Sequence, residues 1–491
     1  MAEPTMSAPP SGVTVRMYRQ GLGDCFLLAF ATGGERPFYM LIDCGVLVGT
    51  PGAEEAMRRV AESIRDSTGR RIDLLVATHQ HWDHLSGFEQ AREVFDQIDI
   101  GEVWVAWTED LENPLAARLR ARRDTAVRAL WSAARSLRAA GGGDRAETLE
   151  SVLGFFGELG VDGRPSGLQR ALDYVLGRGN PPRYRVPGEP AIGLRGVPGT
   201  RLYVLGPPQD EELLLRSDPS RRDSEVYEKR LGLDPETSFF AAALAADDAS
   251  PSDPDDDELR SLSFPFDKAY RVSPKNARAH VFFQAHYFGG KGKATEKDLS
   301  WRRIDDSWLS AANNLALQLD ADTNNTSLAL AIELSPGGKV LLFPGDAQVG
   351  NWLSWHGSKL RWPREGDPRD PVTAADLLRR TVLYKVGHHG SHNATLREKG
   401  LELMERPDLV ALIPVDEAMA RRPKGGNPQG WDMPFAPLLD RLRQKTEGRV
   451  LRADSGFPRV EDLARLSRAD REGFRQRCAE TDLYVEITVP A

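Results

Sequence analysis

Apolar and polar positions follow two rhythms along this chain. "VTVRMYRQGLGDCFLLAF" reads as a strand, a glycine-rich turn and a second strand, and "FYMLIDCG" as a third. "IDLLVATH" is a continuous apolar run bounded by turn signals, the pattern of a strand covered on both faces. Helical spacing follows in "LSGFEQAREVF", and "IGEVWVAW" returns to a strand, an order that predicts a layered α/β fold. From about Pro114 the period becomes helical, with Leu115, Leu119, Leu130 and Leu137 in step, and stays mostly so to Tyr174 apart from breaks at "GGGDR" and "GRPSG". A strand reappears at "TRLYVLGPP", while "AHVFFQAHYF" suits either a strand or the edge of a helical insert. The sheet pattern then resumes in "TSLALAIEL", "GKVLLFPGDA", "RTVLYKVGHHG" and "LVALIPVD". No internal repeat is evident.

Composition narrows the class without naming a function. The 491 residues are 40% hydrophobic and 28% charged, as in ordinary globular proteins. A net charge of -8 argues against a surface that grips nucleic acid everywhere, though a local basic patch is compatible with it. No apolar run reaches the roughly 18 residues a membrane helix needs, and no membrane association is expected. "MAEPTMSAPPSG" lacks the basic and apolar regions of a secretory signal, so residues 1–12 read as a disordered tail. Cys25, Cys44 and Cys478 are too few and scattered for a disulfide framework and read as buried thiols of a reducing cytoplasm. "AADDASPSDPDDDELR" reads as a solvated connector. "LAARLRARRDTAVRALWSAARSLR" carries seven arginines and one aspartate, either the wet face of an amphipathic helix or a track for phosphates.

The chemistry concentrates in histidines. Six of the nine fall in two short stretches, His79, His81, His84 and His388, His389, His392, and each stretch directly follows an apolar strand. Asp346 ends a third such strand, and open α/β sheets place their sites at strand ends. Imidazole with carboxylate suits divalent metals such as zinc, iron or manganese. In the run His79-Gln80-His81-Trp82-Asp83-His84, the first two histidines can share one ion while Asp83 and His84 reach a second. Two ions about 3.5–4 Å apart can clamp both oxygens of a displacement.

"HQHWDH" is identified as the HxHxDH signature of the metallo-β-lactamase fold superfamily. The order of "GLGDCFLL", "LIDCG", "LYVLGPP", "NNTSLAL", "LLFPGDA", "YKVGHHGS" and "LRADSG" resembles one branch, the hydrolase domain of bacterial DNA-uptake competence channel proteins and its free-standing relatives. The resemblance spans roughly residues 13–107, 196–208 and 315–458. It implies an αββα sandwich whose core occupies residues 13–107 and 315–491. A large, mainly helical insertion occupies 108–314, with a core strand near 201–208. It further implies that His79 and His81 bind a first metal, that Asp83 and His84 bind a second, that Asp346 bridges both, and that one of His388 and His389, with His389 favoured unless the strand end shifts by one residue, completes the second site. The other of that pair would orient ligands or contact the substrate, protonating the leaving group. Superfamily members often supply a third histidine to the first metal; here "DTNNTSLAL" offers Asn324 and Asn325, with His286 of the insertion as another substitute. Met433 stands where relatives often carry a histidine before the proline.

Smaller features stay open. Asp24 and Asp43 either orient a metal-bound histidine from behind or simply form turns. Ser391 and Lys385 either touch an anionic substrate or serve structure, and His356 reads as packing among Trp352 and Trp355. The expected activity is a hydrolase with two divalent ions, zinc or manganese, whose metal-bridged hydroxide attacks a phosphoester of DNA, RNA or a nucleotide, with Asp83 orienting it. The alternatives are a lactone, ester or thioester hydrolase on the same ions, or a weakly catalytic scaffold that docks a protein partner through the insertion.

Overall fold

The computed structural model describes residues 5–139, 143–157, 166–178, 181–216, 272, 274–288, 307–364, 367–423 and 429–491. The described residues divide into two compact units, one within 1–122, 154–232 and 320–491, the other within 123–153 and 233–319.

The first unit is built on two large sheets. Its strands are β1 (Gly12–Tyr18), β2 (Cys25–Phe30), β3 (Phe38–Cys44), β4 (Arg71–Ala77), β5 (Asp99–Ala106), β6 (Arg183–Arg185), β7 (Ile192–Gly193), β8 (Arg201–Gly206), β9 (Ala329–Glu333), β10 (Val340–Phe343), β11 (Arg361–Arg364), β12 (Asp367–Thr373), β13 (Thr381–Lys385), β14 (Val410–Ile413), β15 (Val450–Arg452), β16 (Cys478–Glu480) and β17 (Tyr484–Pro490). One sheet runs β16-β17-β1-β2-β3-β4-β5-β6, the other β15-β14-β13-β10-β9-β8-β7, and β11 with β12 forms a separate hairpin. In both sheets one half is antiparallel and the other, β3 to β6 and β10 with β13 to β15, is parallel.

Alternation along the strands explains the layering. Phe26, Leu28 and Phe30 of β2 and Met40 and Ile42 of β3 join Val204, Leu330, Leu341 and Phe343 of the second sheet in one core. Phe26 meets Phe343 edge to face across it, ring centroids 5.5 Å apart. The opposite set, Leu27, Ala29, Leu41 and Leu75, packs against the helices α1 (Ala53–Ser67) and α2 (Trp82–Gln90). Burial on both faces is why β2, β3 and β4 read as nearly unbroken apolar runs. Helices Val349–Ser354 and Ala374–Arg379 pack on β8 and β10. The architecture is the αββα sandwich.

Several sequence expectations change here. Met6, within the expected tail, is buried; its N–H donates to the Ser67 carbonyl and its own carbonyl accepts from Tyr39 Oη. The stretch 108–314 is mainly helical where described, with the expected core strand at β8. Its described portion within 154–216 belongs to the first unit and supplies β6 to one sheet and β7 and β8 to the other, two of them too short to leave a period in the sequence. "AHVFFQAHYF" is helical, not a strand. β17, beyond the expected resemblance, pairs with β1 along its whole length. The second unit is helical, with Leu130, Leu137, Leu149, Leu153 and Leu315 among its buried residues. The acidic connector lies outside the described residues.

Candidate metal centre

The C-terminal ends of parallel strands deliver the polar groups. β4 ends at Ala77 and the chain turns into His79, His81 and then α2, which carries Asp83 and His84 on its first turn. Asp43 is the penultimate residue of β3, Asp346 follows β10, and His388 and His389 follow β13. Two glycines permit the close approach of these loops. A Cβ on Gly45 would lie 2.4 Å from the Asp83 carbonyl carbon, and one on Gly23 2.7 Å from the Asp83 oxygen. Thus "GLGDC" and "LIDCG" press their backbones onto the start of α2, where the Asp24 N–H donates to the Asp83 carbonyl at 3.0 Å. His388 and His389 both take left-handed backbone, φ 45° and 52°, which costs on the order of 1–3 kcal/mol each. The His388 N–H donating to Asp346 Oδ1 at 2.9 Å and the His389 Nδ1–H donating to the Pro414 carbonyl at 2.8 Å help hold that turn.

Asp83, His84, Asp346 and His389 are all buried and present ligand atoms within 4.8 Å of one another. Individual separations are 2.9 Å for His389 Nε2 to Asp83 Oδ2 and 3.1 Å for His84 Nε2 to Asp346 Oδ2. Donors that share one ion at about 2.0–2.2 Å are spaced in this way. Beside them His79 Nε2 and His81 Nδ1 lie 3.0 Å apart. Most of these rings are also braced from behind. Asp43 Oδ2 accepts from His84 Nδ1 at 2.8 Å and from the Thr78 hydroxyl at 2.7 Å, and Thr78 Oγ1 in turn accepts from His79 Nδ1 at 3.0 Å. That chain places the His79 ring proton on Nδ1 and turns the Nε2 lone pair toward His81 Nδ1. Such partners fix the tautomer and ring orientation of a metal-binding imidazole.

The charges agree with the geometry. Burial alone would raise the Asp346 carboxyl, but Lys385, His84 and His389 outweigh it and hold that group well below the carboxylate range. Burial would lower His84 and His389, yet the surrounding carboxylates, Asp346 and Asp83 foremost, push both up. His79 is well below its ordinary value and His81 is lowered to about 3, in each case by burial first, so both are neutral donors. With the imidazoles neutral, the carboxylates of Asp24, Asp43, Asp83 and Asp346 face only the ammonium of Lys385, an excess of negative charge that divalent ions fit. His81 Nε2, Asp83 Oδ1 and His388 Nε2, all buried, have no hydrogen-bond partner among the described residues. The raised His84 and His389 hold their protons more tightly than ordinary imidazoles, and an ion that binds them must displace those protons. Metal affinity therefore rises with pH, and uptake releases protons. Calorimetric titration in buffers of different ionisation enthalpy measures the number released; a count of zero contradicts the ligand set.

His389, not His388, faces the cluster. His388 is lowered to about 4, by burial first, so it is neutral and poorly suited to protonating a leaving group. Gln348 Oε1 accepts from Asn393 Nδ2 at 2.9 Å, which turns the Gln348 amide nitrogen toward His388 Nδ1 at 3.5 Å and leaves the ring proton on Nε2. Lys385 does not reach a substrate: it is buried, bonded to Asp346 Oδ1 at 2.8 Å and to Asp24 Oδ2 at 2.5 Å. Asn325 is committed elsewhere, its oxygen accepting from the Gln348 N–H and its amide donating to the Arg216 carbonyl. The Asn324 oxygen, fully buried, has no hydrogen-bond partner among the described residues. Ser391 donates to Asn393, and His356 hydrogen-bonds the Lys399 carbonyl. His286 is exposed, in the second unit, against Phe282. Met433 is buried. Of the helical arginines, Arg118 pairs with Glu211 and Arg120 with Glu109.

Sequence reasoning missed Asp320, whose buried carboxylate lies 3.8 Å from His81 Nε2, and Gln348 behind His388. It also missed an aromatic wall. Phe155 and Phe156 place ring centroids 5.7 and 5.0 Å from that of His81, and Trp431 stacks on Phe155 at 4.9 Å. The spacing of Asp320 and Asn324, four apart at a helix end, was the one local signal available for the first of these.

Among the described residues no helix is long and apolar enough to cross a membrane. No curated protein matches the chain. Residues 19–161 match the family model described as the Metallo-beta-lactamase superfamily, a stretch that includes His79 to His84. With the sandwich and the buried histidine–aspartate cluster at its strand ends, the chain carries a domain of the metallo-beta-lactamase superfamily, whose members are generally hydrolytic metalloenzymes.

Proposed function

We propose that this chain is a metal-dependent hydrolase that cleaves phosphoester bonds of a nucleic acid or nucleotide. The observation that carries the hydrolase reading is the buried cluster of Asp83, His84, Asp346 and His389. His84 and His389 are braced from behind by Asp43 and the Pro414 carbonyl. Two divalent ions, zinc or manganese, would supply Lewis acidity and a water acidified towards neutrality. Asp346 would contribute to holding both ions, its Oδ1 being already engaged by Lys385 and the His388 N–H. His79 and His81, with the Asn324 oxygen, would hold the first ion, and the unpartnered Asp83 Oδ1 would orient the attacking water. His388 donates its Nε2–H to an oxygen of the scissile group rather than a proton to the leaving group.

The order of motifs, similar to the hydrolase domain of DNA-uptake channel proteins, supports a phosphoester as substrate. Phe155 and Trp431 add aromatic faces of the kind on which bases stack, at about 1–3 kcal/mol per base. One observation favours a carbonyl ester instead: the wall beside His81 is aromatic, and the nearby ammonium of Lys385 is already paired. The test is cleavage of single-stranded and plasmid DNA, a chromogenic phosphodiester and a lactone, each with zinc or manganese. Cleavage of the phosphodiesters, lost to chelator and restored by metal, is expected. Turnover of the lactone alone transfers the reading to carbonyl esters. Purified protein with almost no metal and no rescue on adding it leaves a scaffold that binds a partner.

A further inference from the structure

Each ring of the cluster has a rear partner except one. His79 leans on Thr78, His84 on Asp43 and His389 on the Pro414 carbonyl, but His81 Nε2 has no hydrogen-bond partner. Its nearest carboxylate oxygen is Asp320 Oδ1 at 3.8 Å, also buried and also without a hydrogen-bond partner. The second oxygen of the same group, Oδ2, accepts from Asn324 Nδ2 at 3.1 Å. Asp320 and Asn324 lie one helical turn apart at the end of the helix Ser307–Asn324, the spacing at which such side chains meet. The amide that donates to Asp320 carries the unpartnered Asn324 oxygen on its other arm.

When His81 Nδ1 is given to an ion, the proton of the neutral ring must sit on Nε2, facing Asp320. We propose that Asp320 is the positioning residue of the first metal subsite, one carboxylate that orients His81 through Oδ1 and the Asn324 amide through Oδ2. In this chain it compensates for the absent third histidine, because both remaining weak points of that subsite are tied to a single rigid anchor. The proposal rests on the dinuclear reading above.

Removal of a carboxylate behind a ligand imidazole weakens metal binding about 10- to 100-fold. The experiment is manganese and zinc titration of the full chain with metal content measured by mass spectrometry, comparing wild type with Asp320→Ala, Asp320→Asn and Asp320→Glu. Wild type is expected to hold two ions, and Asp320→Ala to keep one tightly while the other weakens within that range. Asp320→Asn, which retains one acceptor oxygen but confronts Asn324 with a second amide, falls between them, and it stands in for the alanine variant should that one not fold. Asp320→Glu restores part of the affinity, which a purely structural role would not require. Two ions bound by Asp320→Ala or Asp320→Asn as tightly as by wild type overturn the positioning role and leave the dinuclear reading intact. A wild-type chain that takes up no ion overturns both.

Discussion

Replacing Asp346 by asparagine is expected to reduce hydrolysis about a thousandfold, equivalent to about 4 kcal/mol of transition-state stabilisation, and to lower metal content from two ions to one or none. The substitution keeps the size of the side chain and removes only its charge. That charge faces Lys385 Nζ at 2.8 Å, His84 Nε2 at 3.1 Å and His389 Nε2 at 3.8 Å, all buried. An asparagine amide would also present a donor to the Lys385 ammonium or to a cation in the cluster. Lys385, His84 and His389 then lack their common anion, so in the ion-free variant the two imidazoles are less readily protonated and the donor set holds a cation more weakly. Metal analysis beside steady-state kinetics checks this; two tightly held ions with activity within tenfold of wild type would falsify the bridging role.

The largest effect on stability is expected from Lys385→Met. Lys385 lies 1% exposed between Asp24 and Asp346, so its removal strands two buried carboxylates. At an effective dielectric of about 20, each contact is worth on the order of 5 kcal/mol, enough to offset the several kcal/mol of desolvating the ammonium. Burial lowers the Lys385 pKa, but the two carboxylates outweigh it and the group is raised, hence charged. Breaking such an arrangement from one side costs about 3–5 kcal/mol, a fall of roughly 3–6 °C in the unfolding midpoint. The pH dependence follows from Asp24. Burial, partly offset by Lys385, raises its pKa to about 6, so between that value and the unfolded one the native state binds a proton that the unfolded chain releases. Without the ammonium the proton is taken up at higher pH still. The deficit of the variant is therefore greatest above pH 6 and shrinks as pH falls, which denaturant unfolding at pH 5 and pH 8 measures. Equal deficits at both would argue that Lys385 acts through packing alone.

Much of this architecture is legible in residue order. The apolar run "CFLLAF" reads as a strand and "IDLLVATH" as one covered on both faces, and both are so placed. The run His79 to His84 is visible because its members are local: a strand end and the first turn of a helix confine them within six residues. Asp346 and His389 are visible as chemistry at strand ends, although no spacing says that they meet Asp83 and His84 from positions more than 250 residues away. The choice between His388 and His389 was not legible. It depends on two successive left-handed residues, a backbone state that neither side chain advertises and that the bonds to Asp346 and Pro414 hold in place.

By itself the sequence determined the layered class, the strands that frame the site and the identity of most of its donors, because periodicity and local spacing are properties of neighbours. Only the tertiary structure decided that Asp320 stands behind His81, that Lys385 is locked between carboxylates, and that Asn324 rather than Asn325 has an oxygen to spare. Those outcomes rest on hydrogen bonds between distant segments inside a buried volume, where each polar atom must find a partner and the winner is set by three-dimensional proximity.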